Sequence, residues 1–347
     1  MKTLRIATAK PYDVLIGNKI LADVGQIIKH IDNYPKVAII TDDIVGALYG
    51  KDLTKNLNDE GIDVHSFVFP NGERSKNIEV LGEIYSFLIR QQISRSDLII
   101  ALGGGVVGDL AGFAASSYLW GLDYIQIPTT LIAQTDSSVG GKTAVNLKHG
   151  KNLMGLFYQP RLVICDVSLL KEPFLIREGI SEVIKYALLA DRELFELLER
   201  GELNERLEEV VARCVKIKGI FVSQDERDQG KRKLLNLGHT IGHGIEKNSG
   251  YKVPHGIAVG IGMAIMLSAC VNNGLLDKKV YERYLRLLKK FDLPTSYKDT
   301  SLEELTKEAI SDKKRSGNDI NIVICKDIGN CEVKKIRMDE LFHFLSR

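Results

Sequence analysis

The hydrophobic period of this chain changes near residue 170, and that change decides what it can fold into. Before it, short apolar runs at 14–17, 36–41, 64–69, 97–102 and 124–128 read as strands. Between them, 79–91 has helical periodicity, and Asp42-Asp43 can cap a helix. Strands alternating with helices predict βαβ units and a parallel sheet. After residue 170, long helical patterns dominate: 180–198, 205–224, 233–248, 257–272 and 278–291. One late β signal at 320–325 reads as a hairpin. With 347 residues the chain exceeds one typical core, so two domains are expected, α/β over 1–170 and helical over 171–347.

Composition excludes some partners. The net charge of +2 gives no field for nucleic acid and no polybasic tract for a membrane surface, so neither partner is expected. No apolar run of membrane-spanning length is read, nor a secretory leader. The five cysteines, with no Cys-x-x-Cys, read as reduced thiols of a cytoplasmic protein.

Three of the seven histidines, His239, His243 and His255, fall within seventeen residues. On one helix, Arg232, Asn236, His239 and His243 would be spaced four, three and four apart and form a stripe. Leu234, Leu237, Ile241 and Ile245 would form an apolar stripe facing a core. Gly238, Gly242 and Gly244 each cost a helix interior about 1 kcal/mol against alanine. A helix that carries them needs something close to its backbone, and a metal or anion site is the reading. His239 and His243 at i and i+4 can share one metal ion. The plain alternative is a solvated polar face with two incidental histidines.

Gly103-x-Gly105-x-x-Gly108 follows a strand and opens a helix, where backbone amides can meet a pyrophosphate. A tight strand-to-helix turn is the alternative. The acidic residue usual about twenty positions on is represented only by Asp123. A second glycine-rich loop carries Asp136, Lys142, Asn146, Lys151 and Asn152. Lysine supplies charge to phosphate, and Asp and Asn bind hydroxyls, so the set suits a polyhydroxylated anion. Glu182, flanked by apolar residues and three before Lys185, could be a third metal ligand or half of an ion pair. Asp312-Lys313-Lys314-Arg315 is a cationic knot, which is more often solvated surface.

Together these segments resemble the 3-dehydroquinate synthase family of sugar-phosphate cyclases. The matching stretches are Gly103-Gly-Gly-Val-Val-Gly-Asp-Leu-Ala-Gly-Phe113, Gln126-Ile-Pro-Thr-Thr130, Asp136-Ser-Ser-Val-Gly-Gly-Lys-Thr-Ala-Val145, Gly150-Lys-Asn152, Glu182-Val-Ile-Lys-Tyr186, Asn236-Leu-Gly-His-Thr-Ile-Gly-His243 and His255-Gly256. The resemblance implies a Rossmann-like NAD-binding α/β domain, an all-α metal-binding domain and a homodimer. It implies zinc, or cobalt, on Glu182, His239 and His255, with His243 as an acid/base group near a substrate phosphate. That displaces the pairing of His239 with His243 on the metal. It implies substrate contacts from Asp136, Lys142, Asn152, Lys185, Lys218, Arg232, Asn236 and Lys314. For NAD it implies Asn71, Gly72, Glu73, Arg74, Ser75, Lys76, Gly105, Val106, Val107, Gly108, Asp109, Thr129, Thr130, Lys142 and Lys151. Catalytic roles are implied for His243, Lys185, Lys142, Asp228 and Arg232. The implied activity is a lyase-type cyclisation of a sugar phosphate.

Two positions depart from the family pattern. Trp120 stands where the family usually has arginine, and Asp228 where it tends to have glutamate. An NAD-dependent polyol dehydrogenase would share the two-domain plan, but would not need a lysine-rich phosphate pocket. A catalytically dead metal- or nucleotide-binding protein would not need the intact lysines and metal ligands.

Overall fold

The computed structural model describes residues 1–313 and 318–347, the side chains of 311–313 excepted. Two compact units are present, Met1–Lys171 and Glu172–Arg347.

In the first unit the strands are β1 (Lys2–Ile6), β2 (Tyr12–Gly17), β3 (Lys36–Asp42), β4 (Asp63–Phe69), β5 (Leu98–Gly103), β6 (Asp123–Pro128), β7 (Lys142–Leu147), β8 (Gly150–Phe157) and β9 (Leu162–Asp166). Helix α1 is Val24–Ile31; α2 (Asp43–Val45) runs through a π turn into α3 (Lys51–Asp59); α4 is Ile78–Arg90 and α5 Gly105–Ser117. Seven of the strands form one sheet in the order β1-β2-β9-β6-β5-β3-β4. Only β1 runs antiparallel in it. Strands β7 and β8 form a separate antiparallel hairpin. Alternate residues of the central strands feed two cores. Ala38, Ile40, Ile99 and Ala101 pack with α4 and α5, while Val37, Ile39, Leu98, Ile100 and Leu102 pack with α1 and α3. Burial on both faces explains why these strands read as unbroken apolar runs.

The second unit holds α6 (Pro173–Ala190), α7 (Arg192–Arg200), α8 (Leu207–Gln224), α9 (His239–Asn248), α10 (His255–Asn272), α11 (Lys278–Lys290), α12 (Leu302–Lys313) and α13 (Leu341–Ser346). The expected late hairpin is β10 (Asp319–Asp327) with β11 (Asn330–Arg337). Two helices read as continuous are broken. The 180–198 pattern divides at Asp191, whose carboxylate caps α7 by accepting from Leu194 N at 2.9 Å. The 233–248 pattern divides too. A 3₁₀ turn, Lys231–Asn236, ends at Leu237 (ψ 122°), and Gly238 takes the left-handed region at φ 78° before α9 starts. Arg232 and Asn236 therefore share no helical face with His239 and His243.

The glycines have a structural explanation different from the expected one. What approaches their backbone is neighbouring protein: a Cβ on Gly238 would lie 2.7 Å from the Val259 carbonyl of α10, and one on Gly242 would lie 3.1 Å from Val259 Cα. A Cβ on Gly256 of α10 would lie 1.9 Å from the Glu178 carbonyl of α6, and one on Gly262 would lie 2.1 Å from the Gly238 carbonyl before α9. A Cβ on Gly244 would lie 2.9 Å from the Leu305 carbonyl of α12. Helix α10 is also the exception to the expectation that no apolar run is long enough to span a membrane. It has 18 residues with mean hydropathy 1.6, and 67% of it is buried as a core helix.

Gly256→Ala should destabilise the protein by about 1–3 kcal/mol through overpacking. Gly82→Ala, in α4 where an added Cβ meets nothing within 4 Å, should stabilise it by up to about 1 kcal/mol. Urea unfolding of the two variants checks the contrast. Equal effects would contradict the close-packing account.

Candidate active site

In the second unit, close packing sets the ends of two helices against α6. His239 opens α9 directly after the left-handed Gly238, and His255 opens α10 directly after Pro254. Glu182, on the inner face of α6, is fully buried. Its Oε1 stands 3.5 Å from Nε2 of His239 and 3.5 Å from Nε2 of His255. Both outward ring nitrogens are held. His239 Nδ1 donates to the Leu237 carbonyl at 3.2 Å, and His255 Nδ1 donates to Glu246 Oε2 at 3.1 Å. One ligand atom from each of Glu182, His239 and His255 lies within 4.8 Å of the others. Two imidazole nitrogens and a carboxylate oxygen, with the far nitrogens fixed, suit a divalent ion in a site with open positions.

Among the described residues one other three-donor group exists: His243, Glu246 and His255. Helix α9 places His239 and His243 on adjacent turns, but among the described residues no three-donor group contains both. His243 is exposed on α9, its ring 5.6 Å from that of His239.

Electrostatics sharpen the cluster. The buried Lys185 ammonium contacts Glu182 Oε2 and lies 4.9 Å from the Tyr186 ring centre. Burial, together with nearby Lys185, His255 and His243, outweighs the pull of Glu182 and lowers His239 to about 3. Burial also opposes charge on His255, but the neighbouring Glu182 and Glu246 carboxylates outweigh it and raise His255 to about 10. Lys218 is buried on α8. Arg232 is buried and donates from Nη1 to the Glu226 carbonyl at 2.6 Å. Asp225 shapes that loop by accepting from the backbone of Gln229, Gly230 and Arg232. Asp228 stands in it at φ 58°. Asn236 is half-buried at the end of the 3₁₀ turn. Lys314 lies outside the described residues.

In the first unit, four segments meet beyond the ends of β4, β5 and β6. Gly104 opens α5 with no side-chain cap, leaving first-turn amides for an anion. Gly105, Val106, Val107, Gly108 and Asp109 form that turn. The Lys76 ammonium contacts Asp109 and reaches Asn152 Oδ1 at 2.5 Å. Asn146, read from the sequence as part of the polar loop but given no contact by the family resemblance, ties the segments together. Its Nδ2 donates to Glu73 Oε1 at 2.7 Å, and its Oδ1 accepts from Asn152 N at 2.9 Å. Lys151 is 3.8 Å from Glu73. Asn71 N donates to Asp43 at 2.9 Å, and Ser75 N to the Gly72 carbonyl at 3.1 Å, with Arg74 exposed between them. Thr129 N donates to the Gly103 carbonyl at 3.0 Å, and Thr130 caps the turn that leads to Asp136. Lys142 is exposed at the start of β7. Trp120 is 92% exposed with φ 72°.

Glu246 was also missed by sequence reasoning. Its spacing, three after His243 on the same helix, was the available signal; its burial was not legible.

Residues 66–175 match the family described as 3-dehydroquinate synthase N-terminal, and 179–315 the one described as 3-dehydroquinate synthase C-terminal. The 3-dehydroquinate synthase of Clostridium acetobutylicum is 43% identical, covering 99% of this chain and 99% of its own. Among solved structures, 2-deoxy-scyllo-inosose synthase complexed with carbaglucose-6-phosphate, NAD+ and Co2+ aligns with a TM-score of 0.89 at 25% identity, covering 99% of each chain. The 2-epi-5-epi-valiolone synthase from Streptomyces hygroscopicus, with NAD+ and Zn2+ bound, aligns with a TM-score of 0.87 at 26% identity, covering 100% of this chain and 98% of its own.

Comparing wild type with His255→Gln, both metal-free, isolates one charge. A histidine raised from 6.5 to about 10 contributes stability that is fully present below pH 6.5 and is lost as pH rises to 10. The stability difference between the two proteins should therefore shrink from pH 6.5 to 10 in urea titrations. A difference that grows would contradict this environment for His255.

Proposed function

This chain belongs to the 3-dehydroquinate synthase family, and on that premise we propose that it converts 3-deoxy-D-arabino-heptulosonate 7-phosphate to 3-dehydroquinate and inorganic phosphate. The conversion belongs to the shikimate route to aromatic amino acids. It is a carbon–oxygen lyase reaction that combines oxidation, phosphate elimination, reduction and aldol cyclisation. The convergence of Glu182, His239 and His255 is the observation that carries the reading. When bound, NAD would take up and return a hydride, and a divalent ion (zinc in this reading, with cobalt able to replace it) would polarise substrate hydroxyls.

The chain's own residues do the rest. Glu182, His239 and His255 hold the ion. The open first turn of α5, from Gly105 to Asp109, takes the pyrophosphate of NAD. Asn71, Gly72, Glu73, Arg74, Ser75, Lys76, Thr129, Thr130, Lys142 and Lys151 surround the cofactor in this reading. Lys142, Asn152 and Lys314 bind the substrate phosphate, which stabilises the charge of the departing group. His243 holds and moves a proton beside it. Asp136, Lys185, Lys218, Arg232 and Asn236 orient the remaining hydroxyls and carboxylate. Asp228 keeps a carboxylate near Arg232. Thiols that form no disulfide among the described residues fit a reducing compartment such as the cytoplasm, and the homodimer rests on the family resemblance alone.

Phosphate release is the test, run with NAD far below the substrate concentration. Nearly all the substrate should turn over with no NADH absorbance accumulating. Chelation should stop the reaction, and zinc or cobalt should restore it. NADH rising in step with product would move the protein to the dehydrogenase reading.

A further inference from the structure

Glu246 has no role in the function proposed above, yet it is a carboxylate only 4% exposed beside that site. It sits on α9, seven residues after His239 and three after His243. Its Oε2 accepts from Nδ1 of His255 at 3.1 Å. The opposite nitrogen of that ring faces Glu182 at 3.5 Å. Two carboxylates thus grip one imidazole from opposite edges.

We infer that Glu246 is a positioning residue for metal binding: it fixes the tautomer and the ring plane of His255 so that Nε2 is presented to the ion. The inference rests on the assignment of Glu182, His239 and His255 as ligands.

A neutral imidazole has one N–H and one lone pair, and only the lone pair binds metal. The acceptor on Nδ1 therefore decides which nitrogen is available. For His239 a backbone carbonyl, that of Leu237, plays this part. For His255 the acceptor is a carboxylate, a partner that makes the ring a stronger electron donor. The position of His255 adds a need for such an anchor. It is the first residue of α10, where the backbone is set by Pro254 and by the close contact of Gly256 with α6, but ring rotation is not.

The competing assignment makes Glu246 itself a ligand, in the group it forms with His243 and His255. Ligand and anchor differ in what their loss does. Loss of an anchor weakens the site but leaves the coordination sphere intact. Loss of a ligand changes the sphere.

The experiment measures cobalt and zinc binding to full-length wild type, Glu246→Ala and Glu246→Gln, by competition with a chromophoric chelator, with thermal melts of the metal-free proteins alongside. Wild type should bind one equivalent. Glu246→Ala should still bind one equivalent, with the dissociation constant raised by roughly 10- to 100-fold. At saturating cobalt its visible spectrum should keep the wild-type band positions. Glu246→Gln retains an acceptor oxygen and should lose at least about threefold, because hydrogen bonds to charged groups are roughly twice as strong as neutral ones. This variant decides the matter if the alanine variant does not fold. Unchanged constants in a folded variant would overturn the proposal, as would loss of the cobalt bands, which would make Glu246 a ligand. If wild type itself binds no metal, it is the functional reading that fails.

Discussion

Close contact between helices α6, α9 and α10 is the constraint on which the second unit depends. Gly256 lets α10 rest against the Glu178 carbonyl, and Gly262 lets it rest against the turn at Gly238. Neither position has room for a methyl group. Because α10 is pressed against both neighbours, the residues that begin it and α9 reach the buried carboxylate of α6. The left-handed Gly238 ends the preceding turn and sets the start of α9 at His239. The destabilising cost of glycine within helices is therefore offset by packing that a side chain would prevent.

The same contacts create the electrostatic problem that makes the cluster chemically distinct. A fully buried carboxylate is costly unless it is paired. Glu182 is answered by Lys185 on its own helix and by two imidazoles. Burial drives His239 towards neutral against the pull of Glu182, while the Glu182 and Glu246 carboxylates outweigh burial at His255 and drive it towards charged. In the first unit the buried lysine, Lys76, does a different job. It joins the first turn of α5 to the β7–β8 hairpin through Asp109 and Asn152. One ammonium group thus ties together the segments proposed to meet the cofactor and the substrate in that unit.

Much of the architecture was legible in the sequence. Strands buried on both faces leave unbroken apolar runs, and long amphipathic helices leave a clear period, so most element ends agree within a residue or two. The breaks were harder to read. Apolar spacing continues across Asp191 and across Leu237-Gly238, and periodicity cannot show a turn that keeps its phase. The glycines were legible as a cost that calls for a close contact, but not as a contact with protein, because their neighbours come from distant parts of the chain. At the site, spacing alone led to His239 with His243, which α9 does place on adjacent turns. The residues alone offered Glu182 as a possible third ligand, but its convergence with both His239 and His255 depends on three helices meeting, and only the family resemblance pointed to that set. Glu246 was passed over because a glutamate on a helix is ordinarily solvated. The role given to Lys314 lies outside the described residues.

The central claim is that helix packing assembles one metal site on Glu182, His239 and His255. Anomalous scattering from crystals of the cobalt-loaded protein tests it most directly. The account expects one strong peak per chain, about 2.0–2.2 Å from Nε2 of each of these histidines and from a Glu182 oxygen. A peak held instead by His243 and Glu246, or no peak from protein shown to carry cobalt in solution, would contradict it.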